Sequence, residues 1–339
     1  MTATADTTQP AQGGLRPMDA ARDLGAIAEL IASGFGDEID DRGRAALREM
    51  RWMARMTPLV WWWAQADPSF QETFNGFVWE EPAAEGTGLR IIANVSLNRA
   101  PGSRRRWIIC NVVVEDAYRG QGIGRRLVEA ATEEALQLGA EGVLLQVHQD
   151  NTPALQLYRG FGFREVSGET GFWLEGVKPV SPRDAPGYRF RPWGATDGRA
   201  VYELARRVTP PVQQWIRPLR AGDYCPDWLV RLGRWISDLV AGRRTWRLVA
   251  LQEERLVALM EVTAAFRRGE HQLMLLVHPD HVDRVAAALV SRALYILSGS
   301  PSRPVRITID PDQSAISQVL RDYGFEEQRT LLTMRKDLD

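Results

Sequence analysis

The chain has 339 residues, 45% hydrophobic and 25% charged, which allows two globular domains and excludes a disordered, fibrous or low-complexity protein. Its formal net charge of −1 excludes the broad basic field that draws in nucleic acid or an anionic membrane, and its two cysteines, Cys110 and Cys225, lack the Cys/His spacing of a metal site. The longest greasy run, PLVWWWAQA, falls far short of the ~20 residues that cross a bilayer, and residues 1–14 read as a disordered tail without signal-peptide character; a cytoplasmic protein with no membrane, nucleic-acid or metal partner is expected.

From Leu15 to about Phe35 the apolar spacing is helical, and a second helix is predicted over 36–56. FNGFVWEE and LRIIANVSL, joined by the turn chemistry of PAAEGTG, predict an antiparallel hairpin. RWIICNVVV predicts a strand buried on both faces, its apolar run broken only by Asn111. A turn with three glycines in five residues, Gly120 to Gly124, then leads into a helix whose Ile123, Leu127, Ala130, Ala131, Ala135 and Leu138 share one side. GVLLQV is a further strand, and NTPALQLYRGFGF is a short helix with a stop, where Asn151 or Thr152 can cap and Pro153 suits the first turn. GVKPVSPRDAPGY, with three prolines and two glycines, reads as a linker over 177–188.

Beyond the linker the sequence repeats itself. RPWGATDGRAVYELARRVTP from Arg191 echoes RPMDAARDLGAIAELIASGF from Arg16, LLVHPDHVDRVAAALVSRAL echoes VVVEDAYRGQGIGRRLVEAA, and ITIDPDQSAISQVLRDYGF echoes LQVHQDNTPALQLYRGFGF. The expected organisation is therefore two copies of one α/β unit, 15–176 and 189–339, each a mixed central sheet flanked by helices, with the second copy eroded.

A helix start offers unpaired N–H groups and a positive dipole end, so a side-chain-free turn before it suits phosphate. The Walker loop needs Gly-Lys-Ser/Thr, but Gly124 is followed by Arg125 and Arg126; the dinucleotide fingerprint needs a glycine where Leu127 stands. The pattern that remains, Arg119-x-x-Gly122-x-Gly124, with Asn151-x-x-Ala154-x-x-Leu157-Tyr158-x-x-x-Gly162-Phe163 downstream, resembles the GNAT superfamily of acyl-CoA-dependent N-acyltransferases over about residues 15–175. Tandem members are familiar within it.

That resemblance implies acetyl-CoA as cosubstrate and a primary amine, on a small molecule or a peptide, as acceptor. It implies that Val112, Val113 and Val114 pair with pantetheine, that Arg119, Gly120, Gln121, Gly122, Ile123 and Gly124 hold the pyrophosphate with charge from Arg125 or Arg126, and that Asn151 caps its helix or touches the cofactor. Tyr158 is expected to protonate the leaving thiolate, and also to lie at the cofactor. Where family members read Leu-Glu-Val this chain reads Leu145-Gln146-Val147, so the base is open: Glu115, His148 or a water chain. That gap leaves a rival reading, a non-catalytic acyl-CoA binding or sensing protein. In the second copy Gly120 to Gly124 becomes Asp283 to Ala287 and Tyr158 becomes Leu320, so it is expected to bind no CoA, to complete the acceptor cleft, and to make the chain a monomer with an internal pseudo-dimer. Cys110 reads as a buried inert thiol, the cluster Trp61 to Trp63 as acceptor wall or core, and Arg104 to Arg106 as a solvated turn.

Overall fold

The computed structural model describes residues 13–36, 41–55, 75–83, 88–103, 105–216, 218–225 and 228–338; the Trp61 to Trp63 cluster, Arg104 and most of the expected tail lie outside them. The chain divides into two compact units that interleave in sequence, Met1–Gln146 with Gln156–Arg164 and Met334–Asp339 in one, Val147–Leu155 and Glu165–Thr333 in the other.

In the first unit β1 (Gly14–Pro17), β2 (Asn75–Pro82), β3 (Leu89–Arg99) and β4 (Arg106–Val114) run antiparallel, each to the next, and β5 (Gly142–His148) joins β4 in parallel. Leu15 to Pro17 form strand where the apolar spacing predicted helix: Leu15 pairs with Trp79, and helix α1 (Ala20–Phe35) starts only after Asp19, whose carboxylate accepts the Ala21 N–H at 3.0 Å. Leu24, Ile27, Ala28, Leu30 and Ile31 are buried on α1; all but Leu24 cluster with Leu47 of α2 (Asp41–Arg55), Val78 and Val113. Helix α3 (Ile123–Gln137) buries Ile123, Leu127, Val128, Ala131 and Ala135, and α4 (Thr152–Gly160) follows β5.

Arg16 on β1 holds the buried Asp23 of α1 with two bonds, 2.6 and 2.8 Å, and a third at 2.7 Å to Glu80 on β2. The hydrogen bond from Arg16 holds the Glu80 carboxyl below its usual range. Such a carboxylate stabilises the fold above the ordinary carboxylate range near ~4, and its contribution is lost as pH falls through the lower folded value. Asp23→Ala leaves Arg16 part-buried without its main partner and should cost about 3 kcal/mol in urea unfolding; a loss under about 0.5 kcal/mol, the scale of an ordinary surface substitution, would contradict this.

In the second unit β7 (Arg189–Pro192), β8 (Arg243–Gln252), β9 (Arg255–Ala265) and β10 (His271–Val277) are antiparallel in succession, and β11 (Val305–Ile309) is parallel to β10. Beyond β11 lies β6 (Arg164–Leu174), antiparallel, with Ile307 facing Phe172. The Thr170 hydroxyl meets Thr330 of β12 (Glu326–Asp337) at 2.9 Å. The helices of this unit are α5 (Gly198–Val208), α6 (Pro211–Ile216), α7 (Ala221–Tyr224), α8 (Trp228–Val240), α9 (Val282–Ser298) and α10 (Ser314–Asp322). Helix α9 supplies the core residues Val285, Ala286, Leu289, Val290, Ala293, Leu294 and Leu297.

The two units repeat local detail as well as strand order. Arg191 holds Asp197 at 2.6 and 2.8 Å as Arg16 holds Asp23, and the hydrogen bond from Arg191 keeps the Asp197 carboxyl below its usual range. After α4 the Phe163 N–H bonds to the Tyr158 carbonyl at 3.1 Å, and after α10 the Phe325 N–H bonds to that of Leu320 at 3.0 Å. Gly162 and Gly324 take left-handed φ of 85° and 84° at these stops. Leu320 therefore holds in the second repeat the position that Tyr158 holds in the first.

Candidate active site

β4 and β5 stay paired only through Ile109 and Leu145, so the backbone of Cys110 to Val114 parts from its parallel neighbour. The cause lies on the other side of the strand. Opposite β3 the register slips between Asn94 and Ser96, and Asn111 sits at φ 53°, a left-handed position that asparagine tolerates better than its β-branched neighbours. The Asn94 side-chain N–H donates to the Asn111 carbonyl at 3.1 Å and holds this bulge. The lone polar residue in an apolar run, Asn111, is the sequence signal for the bulge; the family resemblance implies the parting of this strand from GVLLQV but not the bulge that accompanies it.

Past the bulge, Val113 is buried against α1, so close that a Cβ on Gly34 would come within 2.2 Å of its Cγ2. Val112 and Val114 are half-buried, and Val114 approaches Gly124. A short 3-10 turn, Asp116–Tyr118, leads to Arg119, which bonds the Val114 carbonyl at 3.1 Å and pairs with Asp116 at 2.8 Å. Gly120 and Gly122 follow with φ of 79° and 80°, and a Cβ built on either would meet no atom within 4 Å. Glycine is needed here for its left-handed backbone, and the space in front of that backbone is open. Gly122 caps α3, so the N–H groups of its first turn, at Ile123, Gly124 and Arg125, have no intrahelical acceptor. These residues fit a diphosphate: bare backbone, a 15-residue helix start and adjoining cations. Arg125 lies 5.2 Å over the Phe161 ring, whereas Arg126 turns away, 5.4 Å over Trp79.

Tyr158 sits on α4, 6% exposed, with its ring edge toward Phe163 at 6.1 Å. Burial pushes its phenol up to about 12. Asn151 caps α4, its side-chain oxygen accepting the Ala154 N–H at 3.2 Å. Glu115 is engaged by Arg90 at 2.6 Å, Gln146 is exposed on β5, and His148 is half-buried at its end. Burial pushes the Cys110 thiol up to about 12, which suits an unreactive thiol.

In the second unit this region is rebuilt. A 3-10 turn, Pro279–His281, stands where Asp116–Tyr118 does, but α9 begins directly after it, at Val282, and Val285, at the position of Gly122, is fully buried. The turn has been absorbed into the start of the helix, and side chains from Asp283 to Ala287 stand where the first unit has bare glycine backbone. Among the described residues no group of three or more His, Cys, Asp or Glu could hold a metal, and no helix is long and apolar enough to cross a membrane.

Residues 39–163 match the model of the Acetyltransferase (GNAT) family. The N-alpha-acetyltransferase 30 of Saccharomyces cerevisiae is 38% identical over 71 residues, 21% of this chain and 40% of that one. The chain spans from about a fifth to about a half of the length of curated relatives it matches. Two solved structures cover nearly all of it: a GCN5-related N-acetyltransferase from Sphaerobacter thermophilus (TM-score 0.63, 20% identity, 97% of each chain) and a tandem GNAT protein from the clavulanic acid biosynthesis pathway (TM-score 0.54, 19% identity, 96% of this chain and 98% of that one). Motif, fold and family match coincide: the stretch that matches the acetyltransferase (GNAT) family, residues 39–163, contains the glycine turn, the parted strand and Tyr158.

Proposed function

We propose that the chain transfers an acetyl or other short acyl group from acetyl-CoA to a primary amine, with its chemistry in the first unit. The observation that carries this is the open left-handed glycine turn at the start of α3, set beside β4 where it has parted from β5. The family's general use of acetyl-CoA supports it. When bound, acetyl-CoA supplies a thioester, an acyl group whose transfer leaves a thiolate.

The N–H groups from Gly120 to Gly124, with Arg125, hold the phosphates, while Arg119 keeps the turn closed through the Val114 carbonyl. Val112 to Val114 offer the freed backbone edge to amides, as one strand receives another. Tyr158 donates its O–H to the developing negative charge. At about 12 it stays protonated throughout the physiological range. An ordinary thiol lies near ~8.5, so complete transfer would be uphill, and Tyr158 acts at least as much by hydrogen bonding as by giving up its proton. Gln146 cannot take a proton and Glu115 is held by Arg90, so the amine reacts as the free base or loses its proton to His148 or to solvent. A reducing intracellular compartment suits Cys110 and Cys225, which are unpaired.

The rival, a non-catalytic acyl-CoA sensor, is favoured by Gln146 alone. Thiol release from acetyl-CoA over a panel of amines separates the two: turnover is expected with at least one amine, and saturable acetyl-CoA binding with no turnover over the panel would leave the sensor. We further propose that the second repeat binds no CoA and that the chain works as a monomer.

A further inference from the structure

Two pairs of exposed arginines meet at one corner of the second unit. Arg243 and Arg244 open β8, Arg267 and Arg268 follow β9, and the register that sets Arg243 opposite Ala265 and Arg244 opposite Ala264 brings both pairs to the same end of the hairpin. Arg244 lies 4.8 Å over the Trp246 ring, and Arg267 donates to the Val240 carbonyl in the last turn of α8 at 3.1 Å. Among the described residues none of these arginines pairs with a carboxylate. The acids close by are engaged elsewhere: Glu270 pairs with Arg306 at 3.5 Å, and the half-buried Asp238 takes the Thr245 hydroxyl at 3.4 Å. The corner therefore keeps an uncompensated positive charge.

An apolar stripe ends at the same corner. Leu232, Ile236, Leu239 and Val240 recur along α8 at helical spacing and all are exposed, Leu239 by 59% and Val240 by 69%. Phe266, also exposed, is tied to the end of the stripe by its N–H, which bonds the Gly242 carbonyl at 2.7 Å. A single exposed aliphatic side chain is ordinary, but a row of them running into unpaired cations marks a contact surface.

The chemistry of the corner selects its partner. A helix with an exposed apolar stripe and flanking arginines suits a lipid interface, where aliphatic side chains enter the acyl boundary and guanidinium groups reach the headgroup phosphates. Nucleic acid would call for stacking rings, and the side chains exposed here are mostly aliphatic. At 13 residues α8 is too short to cross a bilayer and long enough to lie on one. The net charge of −1, from which no membrane partner is expected, is a sum over the whole chain and does not describe this corner.

We propose that the end of α8 and the adjoining β8–β9 corner dock on an anionic phospholipid surface. This goes beyond acyl transfer and stands or falls without it. Co-sedimentation of the full chain with vesicles tests it. Vesicles of phosphatidylcholine and phosphatidylglycerol should bind the chain at low salt, at least about tenfold more strongly than pure phosphatidylcholine, and release it near 0.5 M salt. The double variant Arg243→Gln, Arg268→Gln should lose roughly 25-fold in partition, about fivefold for each arginine, and Leu239→Ser with Val240→Ser roughly tenfold. These side chains are exposed, so thermal unfolding should stay that of the parent chain. Equal partition onto neutral and anionic vesicles, or anionic binding that both folded double variants retain, overturns the proposal. So does failure to bind anionic vesicles at low salt, and capture of poly-glutamate or a DNA duplex in their place would assign the corner to that partner instead.

Discussion

Gly122→Glu should fold as the parent chain does and lose acetyl-CoA affinity by roughly 10²–10³-fold. The fold survives because a Cβ at Gly122 meets nothing within 4 Å, so the substitution adds only the strain of a left-handed φ of 80°. Binding fails because the new carboxylate would stand where phosphate needs the first N–H groups of α3. At ~4 Å and an effective dielectric near ~20 that repulsion approaches about 4 kcal/mol, on the order of a thousandfold. Gly122→Ala carries the same strain without the charge and should keep most of the affinity. Calorimetry on both variants checks this, and unchanged affinity in a folded Gly122→Glu chain would remove the turn from the site.

The second large effect is expected at Tyr158. Tyr158→Phe keeps the ring that meets Phe163 and removes one hydroxyl, so acetyl-CoA affinity should change less than about threefold while kcat falls ~10²-fold or more, the range for a lost proton donor. The pH profile should separate the partners. Because burial holds Tyr158 near about 12, no falling limb from the phenol should appear below pH ~11, and the rising limb should follow the acceptor amine. A falling limb between pH 8 and 10 that Tyr158→Phe abolishes would show instead that the phenol titrates near its ordinary value.

Much of the site was legible because its parts are local. The turn from Gly120 to Gly124, the strand before it and the Asn151 to Phe163 frame are each contiguous, and their chemistry follows from backbone rules that hold within a few residues. The eroded second turn was legible for the same reason, although its fate was larger than side-chain bulk: with no glycine at 283–287 the helix starts at Val282 and absorbs the turn. What stayed hidden depends on pairing across the sheet. The β4 bulge needs Asn94, seventeen positions before Asn111, to hold it. Leu15 to Pro17 form strand because β2 offers them an edge, which overrides a helical apolar spacing. The partner of β6, and the membership of Glu165 to Leu174 in the second unit, follow from β11, more than a hundred residues away, which no local pattern in the sequence records.

We propose that one turn of the two, the first, holds the cofactor. Isothermal titration of the purified chain with acetyl-CoA tests it most directly, read together with the same titration of Gly122→Glu. One site per chain is expected, lost in Gly122→Glu. Two sites per chain, or one site that survives Gly122→Glu unchanged, would contradict it.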